Sequence, residues 1–393
     1  MSLKAYPEEW AQHAALRGAA RRWQRRRQLT PAQGAAIEAT YPLEYYRPEW
    51  WARVALLVVG SLGVLSASVV LGMLTDFKLD IGVGAAIMLA GTLTVLELNI
   101  SGSKHKHYRS GLDNALLYCA LLCGAVLLVR LVGERALGSV ANPLLWRWLL
   151  PMLGLLLAAL LRYADPVVAA ASFGAALALL ANVLLQFSAG RLLLPFAGML
   201  AAGTLLLALR VVPQRADFFY YRAAYLTLRT LGLAILYLAG NYLVVREGNA
   251  ALQGGYGPSA EIPFAALFWV FTAALPLVYV WLGLRRYDRL LLWLGVLALA
   301  FAIYTVRTYH SVLPPAAAAT LAGSLLTALA LGVLRYLRLP RHGLTAQADD
   351  EVRPLVNLES FVQLETAHVP AAPVPGFEFG GGSSGGGGAE GRF

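Results

Sequence analysis

The sequence predicts an all-α fold, a polytopic transmembrane helical bundle of about ten spans, preceded by a short N-terminal helical hairpin and followed by a disordered C-terminal tail. Three observations predict it. Ten apolar stretches of roughly 18 to 24 residues recur from Ala52 to Leu337, each long enough at about 1.5 Å per residue to cross a hydrocarbon layer of about 30 Å. Of 393 residues, 58% are hydrophobic and only 14% charged, against about 25% charged in an ordinary soluble domain. Lipid also offers no water to backbone amides, so each crossing segment has to satisfy its own hydrogen bonds, and a helix does so.

Residues 1–50 read as a polar headpiece. Pro7 to Arg27 predicts a helix carrying Trp10, Ala14, Leu16 and Trp23 among six arginines from Arg17 to Arg27. Thr30, Pro31 and Gln33 supply an N-cap, a first-turn proline and a capping-box partner for a second short helix. Arg22, Arg25, Arg26 and Arg27 form a basic cluster suited to anionic lipid headgroups, each residue worth on the order of 1 kcal/mol near such a surface. The same cluster also suits a solvated helix end. Tyr41, Tyr45, Tyr46, Trp50 and Trp51 then crowd the entrance to the first span at the depth of an aromatic belt. No small-residue cleavage pattern follows that span, so it is expected to remain as a signal anchor.

Residues 51–338 are the expected bundle, with spans near 52–75, 81–100, 112–133, 146–162, 166–187, 191–211, 224–245, 262–284, 289–308 and 316–337. The connections at Tyr163–Asp165 and Ser188–Gly190 are so short that the helices they join have to be antiparallel neighbours. Phe218 to Tyr221 read as interfacial anchors ahead of the seventh span. Small residues recur at Gly82, Gly84, Ala86 and Gly91, at Gly198 and Ala202, and at Ala319, Gly323 and Thr327, a pattern that admits close helix packing or a second protomer. An even number of spans puts both termini on one side. The arginine-rich headpiece, Lys104, Lys106, Arg109, Arg215, Arg222, Arg285, Arg286, Arg289, Arg335, Arg338 and Arg341 make that side the cytoplasm. Lys78, Arg135, Arg147, Arg191 and Arg246 remain on the opposite side.

Residues 339–393 form the tail. Asp349, Asp350 and Glu351 open it, prolines extend it, and Gly380 to Gly388 is almost all glycine and serine, a composition that cannot build a core. Leu355 to Leu364 is apolar enough for a short partner-binding helix. The headpiece and residues 341–393 are the expected contacts for a cytoplasmic protein partner.

Ionisable groups inside spans are the default functional candidates, since mid-membrane charge costs about 2.5 to 3.5 kcal/mol unless paired or hydrated. Glu97 and Arg229 lie at comparable depth in the second and seventh spans and are expected to pair, or else to snorkel separately. Asn182, Gln186 and Asn241 are expected to bridge helices. His105 and His107 lack a third ligand and sit among lysines, and Cys119 and Cys123 read as small buried hydrophobes, so no metal site, cofactor or disulfide is expected. The net charge of +10 is dispersed over span ends instead of forming one basic face, which favours membrane lipid over nucleic acid.

The run RRWQRRRQLTPAQGAAIEATYP, followed after a short polar gap by ARVALLVVGSLGVLSASVVLG, resembles the bacterial multi-pass family known as domain of unknown function 2157. Leu29, Thr30, Pro31 and Gln33 carry the likeness, which covers about the first hundred residues. The resemblance implies a helical segment ahead of a glycine-bearing first span and brings no catalytic residues.

With no nucleotide-binding loop, zinc-protease motif or nucleophile elbow in an appropriate setting, the sequence leans away from an enzyme. It is read as a bacterial integral inner-membrane protein of scaffold, sensor or envelope type. The alternative is a transporter or channel, for which ten spans suffice. However, Pro151, Pro195 and Pro276 do not fall at equivalent places in two inverted halves.

Overall fold

The computed structural model describes residues 4–102, 106–254 and 259–310, with scattered positions between 317 and 335. Among the described residues the only regular elements are helices. They fall into two compact units, one up to Gly240 and one from Asn241 onward.

The first unit begins with α1 (Glu8–Arg25) and α2 (Pro31–Thr40). Both halves of the α2 capping box are made: Gln33 N donates to Thr30 Oγ1 at 3.2 Å, and Thr30 N donates to Gln33 Oε1 at 2.9 Å. These bonds satisfy amides that the first helical turn leaves open. Arg17 and Arg21 of α1 reach Glu38 of α2 at 2.8 and 3.0 Å and close the hairpin.

Seven long helices follow: α3 (Trp50–Leu74), α4 (Ile81–Ser101), α5 (Leu112–Val132), α6 (Trp146–Tyr163), α7 (Pro166–Leu184), α8 (Gly190–Ala208) and α9 (Phe218–Gly240). Short connections pair α4 with α5, α6 with α7 and α8 with α9, while α5 also packs on α3 and α6, and α7 on α9. The second unit holds α10 (Tyr242–Leu252), α11 (Ala265–Arg285) and α12 (Arg289–Tyr309), with α11 and α12 packed along each other.

Among the described residues nine helices, α3 to α9 with α11 and α12, are long and apolar enough to cross a membrane. The shortest, with 18 residues, rises about 27 Å. Their outward faces are apolar: Val59, Leu65, Leu200, Trp293 and Leu297 are all exposed, Leu200 at 69%. In water such a surface aggregates, whereas in lipid it is the ordinary solvent-facing side. The tenth expected span lies mostly outside the described residues. The tail, His105 and the expected helix at Leu355 to Leu364 lie wholly outside them.

Helix contacts rely on small residues. A side-chain carbon added at Gly283 of α11 would stand 2.8 Å from the Leu292 amide of α12, and one at Gly295 of α12 would stand 2.8 Å from the Val280 amide of α11. The two glycines therefore let the backbones approach at two levels. Gly82 of α4 faces Arg130 of α5 and Ala202 of α8 is fully buried, whereas nothing would lie within 4 Å of a carbon at Gly91.

Both boundaries of one span differ from expectation by more than a helical turn. The seventh span was expected at 224–245, but α9 runs from Phe218 to Gly240 and stops because Asn241 turns extended (φ −79°, ψ 128°) and caps α10 with its side chain. Phe218 to Tyr221 consequently form the first turn of α9 instead of a belt before it. Tyr220 is 2% exposed, so it is a core residue and not a lipid anchor. Helices α6, α8 and α11 run through Pro151, Pro195 and Pro276.

Candidate functional site

The densest polar constellation lies where the N-terminal segment meets the headpiece end of the spans. Its centre is Asp113 in the first turn of α5. The chain enters α5 through Gly111 at φ 99°, where a side-chain carbon would collide with the Arg53 carbonyl oxygen, so only glycine fits. This tight turn folds the preceding amides over the Asp113 carboxylate. Oδ1 accepts from the Ser110 and Gly111 amides at 2.8 and 3.1 Å, and Oδ2 accepts from the Arg109 amide at 2.6 Å and the Tyr6 hydroxyl at 2.7 Å. At 1% exposure this carboxylate requires such saturation. Tyr6 is itself buried, and burial together with the Asp113 carboxylate raises its pKa well above the ordinary phenol value, so it stays a donor.

A second layer covers the carbonyls at the end of α6, which have no partner within the helix. Ala5 N donates to Arg162 O at 2.9 Å, Tyr220 OH donates to the same carbonyl, and Tyr221 OH donates to Leu161 O at 2.8 Å. The Arg109 guanidinium donates to Ala164 O at 3.0 Å. Asp165 caps α7 through the Val167 and Val168 amides and accepts from Asn114 Nδ2 at 2.8 Å. Tyr6, Trp10, Tyr45, Tyr108 and Tyr163 pack around this polar centre, Tyr6 and Tyr108 edge to face at 5.1 Å.

Lys4 fastens the outer rim. Its Nζ lies 2.8 Å from Asp217 and 2.5 Å from Glu8, and Arg215 lies 2.9 Å from the same Asp217. Desolvation alone would lower the Lys4 pKa, but hydrogen bonds to Asp217 and Glu8 outweigh it and raise the value above 10.5. The Arg215 and Lys4 hydrogen bonds pull Asp217 down to about 2.

Glu97, in the last turns of α4, belongs to the edge of this region. Arg162 of α6 donates Nε to Oε1 at 3.0 Å and Nη2 to Oε2 at 2.7 Å, and Tyr163 OH donates to Oε1 at 2.7 Å. The cation seen on Glu97, where Arg229 was one expected partner, is Arg162. Arg162 closes α6 beside the end of α4 and presents one guanidinium edge, Nε and Nη2, to both oxygens of the carboxylate, whereas Arg229 is half-buried on α9.

The three amides are placed differently from one another. Asn182 of α7 donates to the Val140 and Asn142 carbonyls at 2.7 and 2.8 Å, and Gln186 donates to Ala141 O at 3.3 Å, so both hold the loop between α5 and α6 instead of another helix. The Asn182 Oδ1 is buried and accepts nothing among the described residues. In the second unit, Asn241 caps α10 and donates to Thr305 of α12 at 3.1 Å, while Tyr242 N donates to Thr272 of α11 at 2.9 Å. Arg25, Arg26 and Arg27 end α1 on an exposed surface and Arg22 is half-buried there. No group of three or more metal-ligating side chains occurs among the described residues.

Sequence reasoning singled out Glu97 but missed Lys4, Tyr6, Arg162 and Asp217, which are ordinary residues until the chain is folded. A local signal did exist for Asp165, an acidic residue directly before Pro166, and for Asp113, two residues after a glycine. The arrangement binds the N-terminal segment to several span ends and leaves its carboxylates saturated by donors. Comparison with protein-family models, curated proteins and solved structures returned no match.

Proposed function

We propose that this chain is a non-enzymatic, multi-pass protein of the bacterial inner membrane that serves as a scaffold or sensor, with both termini in the cytoplasm. The observation that carries the reading is the clasp of Tyr6 on Asp113, backed by Ala5 on Arg162 and Lys4 on Asp217. A saturated carboxylate holding a chain segment is a docking device and not an acid, base or nucleophile in waiting. Leu16 and Trp23 of α1 stay exposed and supply an apolar face for a cytoplasmic protein partner. The arginines of the headpiece, with Arg22, Arg25, Arg26 and Arg27 next to anionic lipid, favour the cytoplasmic side for this end. The Leu29–Gln33 capping turn keeps membership of the family known as domain of unknown function 2157 within the proposal, and pairing of copies through small-residue faces belongs to it as well.

Single cysteines at Glu9→Cys and Lys78→Cys, in a background with Cys119 and Cys123 replaced by alanine, test the orientation in sealed spheroplasts. A membrane-impermeant maleimide is expected to label the Lys78 position and spare the Glu9 position until the membrane is opened. The reverse pattern overturns the orientation. Solute flux through proteoliposomes that Glu97→Gln abolishes would replace the scaffold reading with transport.

A further inference from the structure

At the end of the spans away from the headpiece, a cleft of about 670 Å³ opens between the last turn of α5 and the first turn of α6. Arg130, Arg135 and Arg147 all line it, with Glu134 as its carboxylate. Arg130 is occupied by Asp80 at 3.1 Å and Glu134 at 3.2 Å. The guanidinium groups of Arg135 and Arg147 face no carboxylate within ion-pair distance among the described residues, Arg147 lying instead over the Trp146 ring. The cleft is thus left with uncompensated positive charge at the depth where a span ends.

A second, apolar groove of about 410 Å³ begins on the other side of the Asp80–Arg130 pair. Leu71, Gly72, Ala85, Met88, Leu122 and Val126 of α3, α4 and α5 line it. Leu122, Val126, Val129 and Arg130 succeed one another along α5 at helical spacing, the first two lining the groove and the last two the cleft, so both concavities border the same helix. A cationic cleft at an interface and an apolar groove running into a span along the same helix match one amphipathic ligand class.

We propose that this surface is a binding site for an anionic phospholipid, with its phosphate between Arg135 and Arg147 and an acyl chain along the groove. Guanidinium groups are suited to phosphate by their planar pair of donors, and Arg130, already neutralised, forms the shoulder between headgroup and chain. The site also accounts for the arginines that stand on the poorly charged side of the bundle, against the orientation rule. The inference rests on the chain spanning a membrane but not on its acting as a scaffold or sensor.

Native mass spectrometry of the full chain in detergent tests it by titration with phosphatidylglycerol, phosphatidylcholine of matched chains, or inorganic phosphate. Phosphatidylglycerol is expected to bind in preference to phosphatidylcholine and to resist competition by phosphate. Arg135→Gln with Arg147→Gln should weaken it by about thirtyfold, two basic residues at about 1 kcal/mol each. The charge-matched pair Arg191→Gln with Arg210→Gln should leave it unchanged. Met88→Trp, which narrows the groove, should weaken phosphatidylglycerol binding while leaving its own melting temperature equal to that of the unsubstituted protein. Equal loss in the charge-matched pair reduces the effect to general charge and overturns the site. Displacement by inorganic phosphate overturns the lipid in favour of a free anion, and equal affinity for phosphatidylcholine overturns the cationic cleft. Failure of the protein to partition into membranes would overturn the spanning reading itself, separately from these outcomes.

Discussion

Asp113 and Tyr6 show how much a single contact decides here. The carboxylate keeps its backbone donors if the phenol is removed, so Tyr6→Phe leaves it under-satisfied instead of bare, at a cost of about 1 kcal/mol, the lower part of the range for a lost buried partner. The expected result is a lower melting temperature in detergent together with faster tryptic cleavage in α1. An unchanged α1 cleavage rate would show that the clasp does not hold the headpiece. The Lys4–Asp217 contact sets a pH window. Asp217 is depressed from 3.8 to about 2, so its contribution is complete above about 4 and is lost as pH falls towards 2. Lys4 is raised above 10.5, so its contribution is complete below that value and fades at higher pH. Hydrogen exchange at the Ala5 amide, normalised for intrinsic rate, should therefore be flat from about pH 5 to 9. A step near neutrality would point to a different titrating group.

At the scale of elements, hydropathy and caps explain where helices start, while small residues explain which ones touch. The α2 start is written locally in Thr30, Pro31 and Gln33, and its two bonds form as that pattern requires. The α9 end is not local in the same sense. The apolar run continues past Gly240, and the helix stops because Asn241 finds two amides to cap and Thr305 to meet on α12. Gly283 and Gly295 make the α11–α12 contact a matter of backbone approach. Gly295→Leu places a branched side chain against the Val280 amide, where it has to force the helices apart. Destabilisation of about 1 to 3 kcal/mol is expected, read as a lower melting temperature of the detergent-solubilised protein. Gly91→Leu, in open space, serves as the control and should change little.

For the whole molecule, the sequence by itself determined that this is a multi-pass helical membrane protein with a capped hairpin ahead of its first span. Those properties are sums over neighbouring residues: about twenty apolar side chains make a span, and three or four residues make a cap. It also marked Glu97 as worth a partner. What the partner is, and what Asp113, Asp165 and Asp217 hold, only the tertiary structure decided. Tyr6 is 107 residues from Asp113 and Arg162 is 65 from Glu97, separations over which no periodicity carries information. The same holds for Arg135 and Arg147, which read in the sequence as exceptions on the opposite side and line one cleft with Arg130. Partition into lipid depends on composition along the chain, whereas a charge finds its partner through the packing of helices distant in sequence.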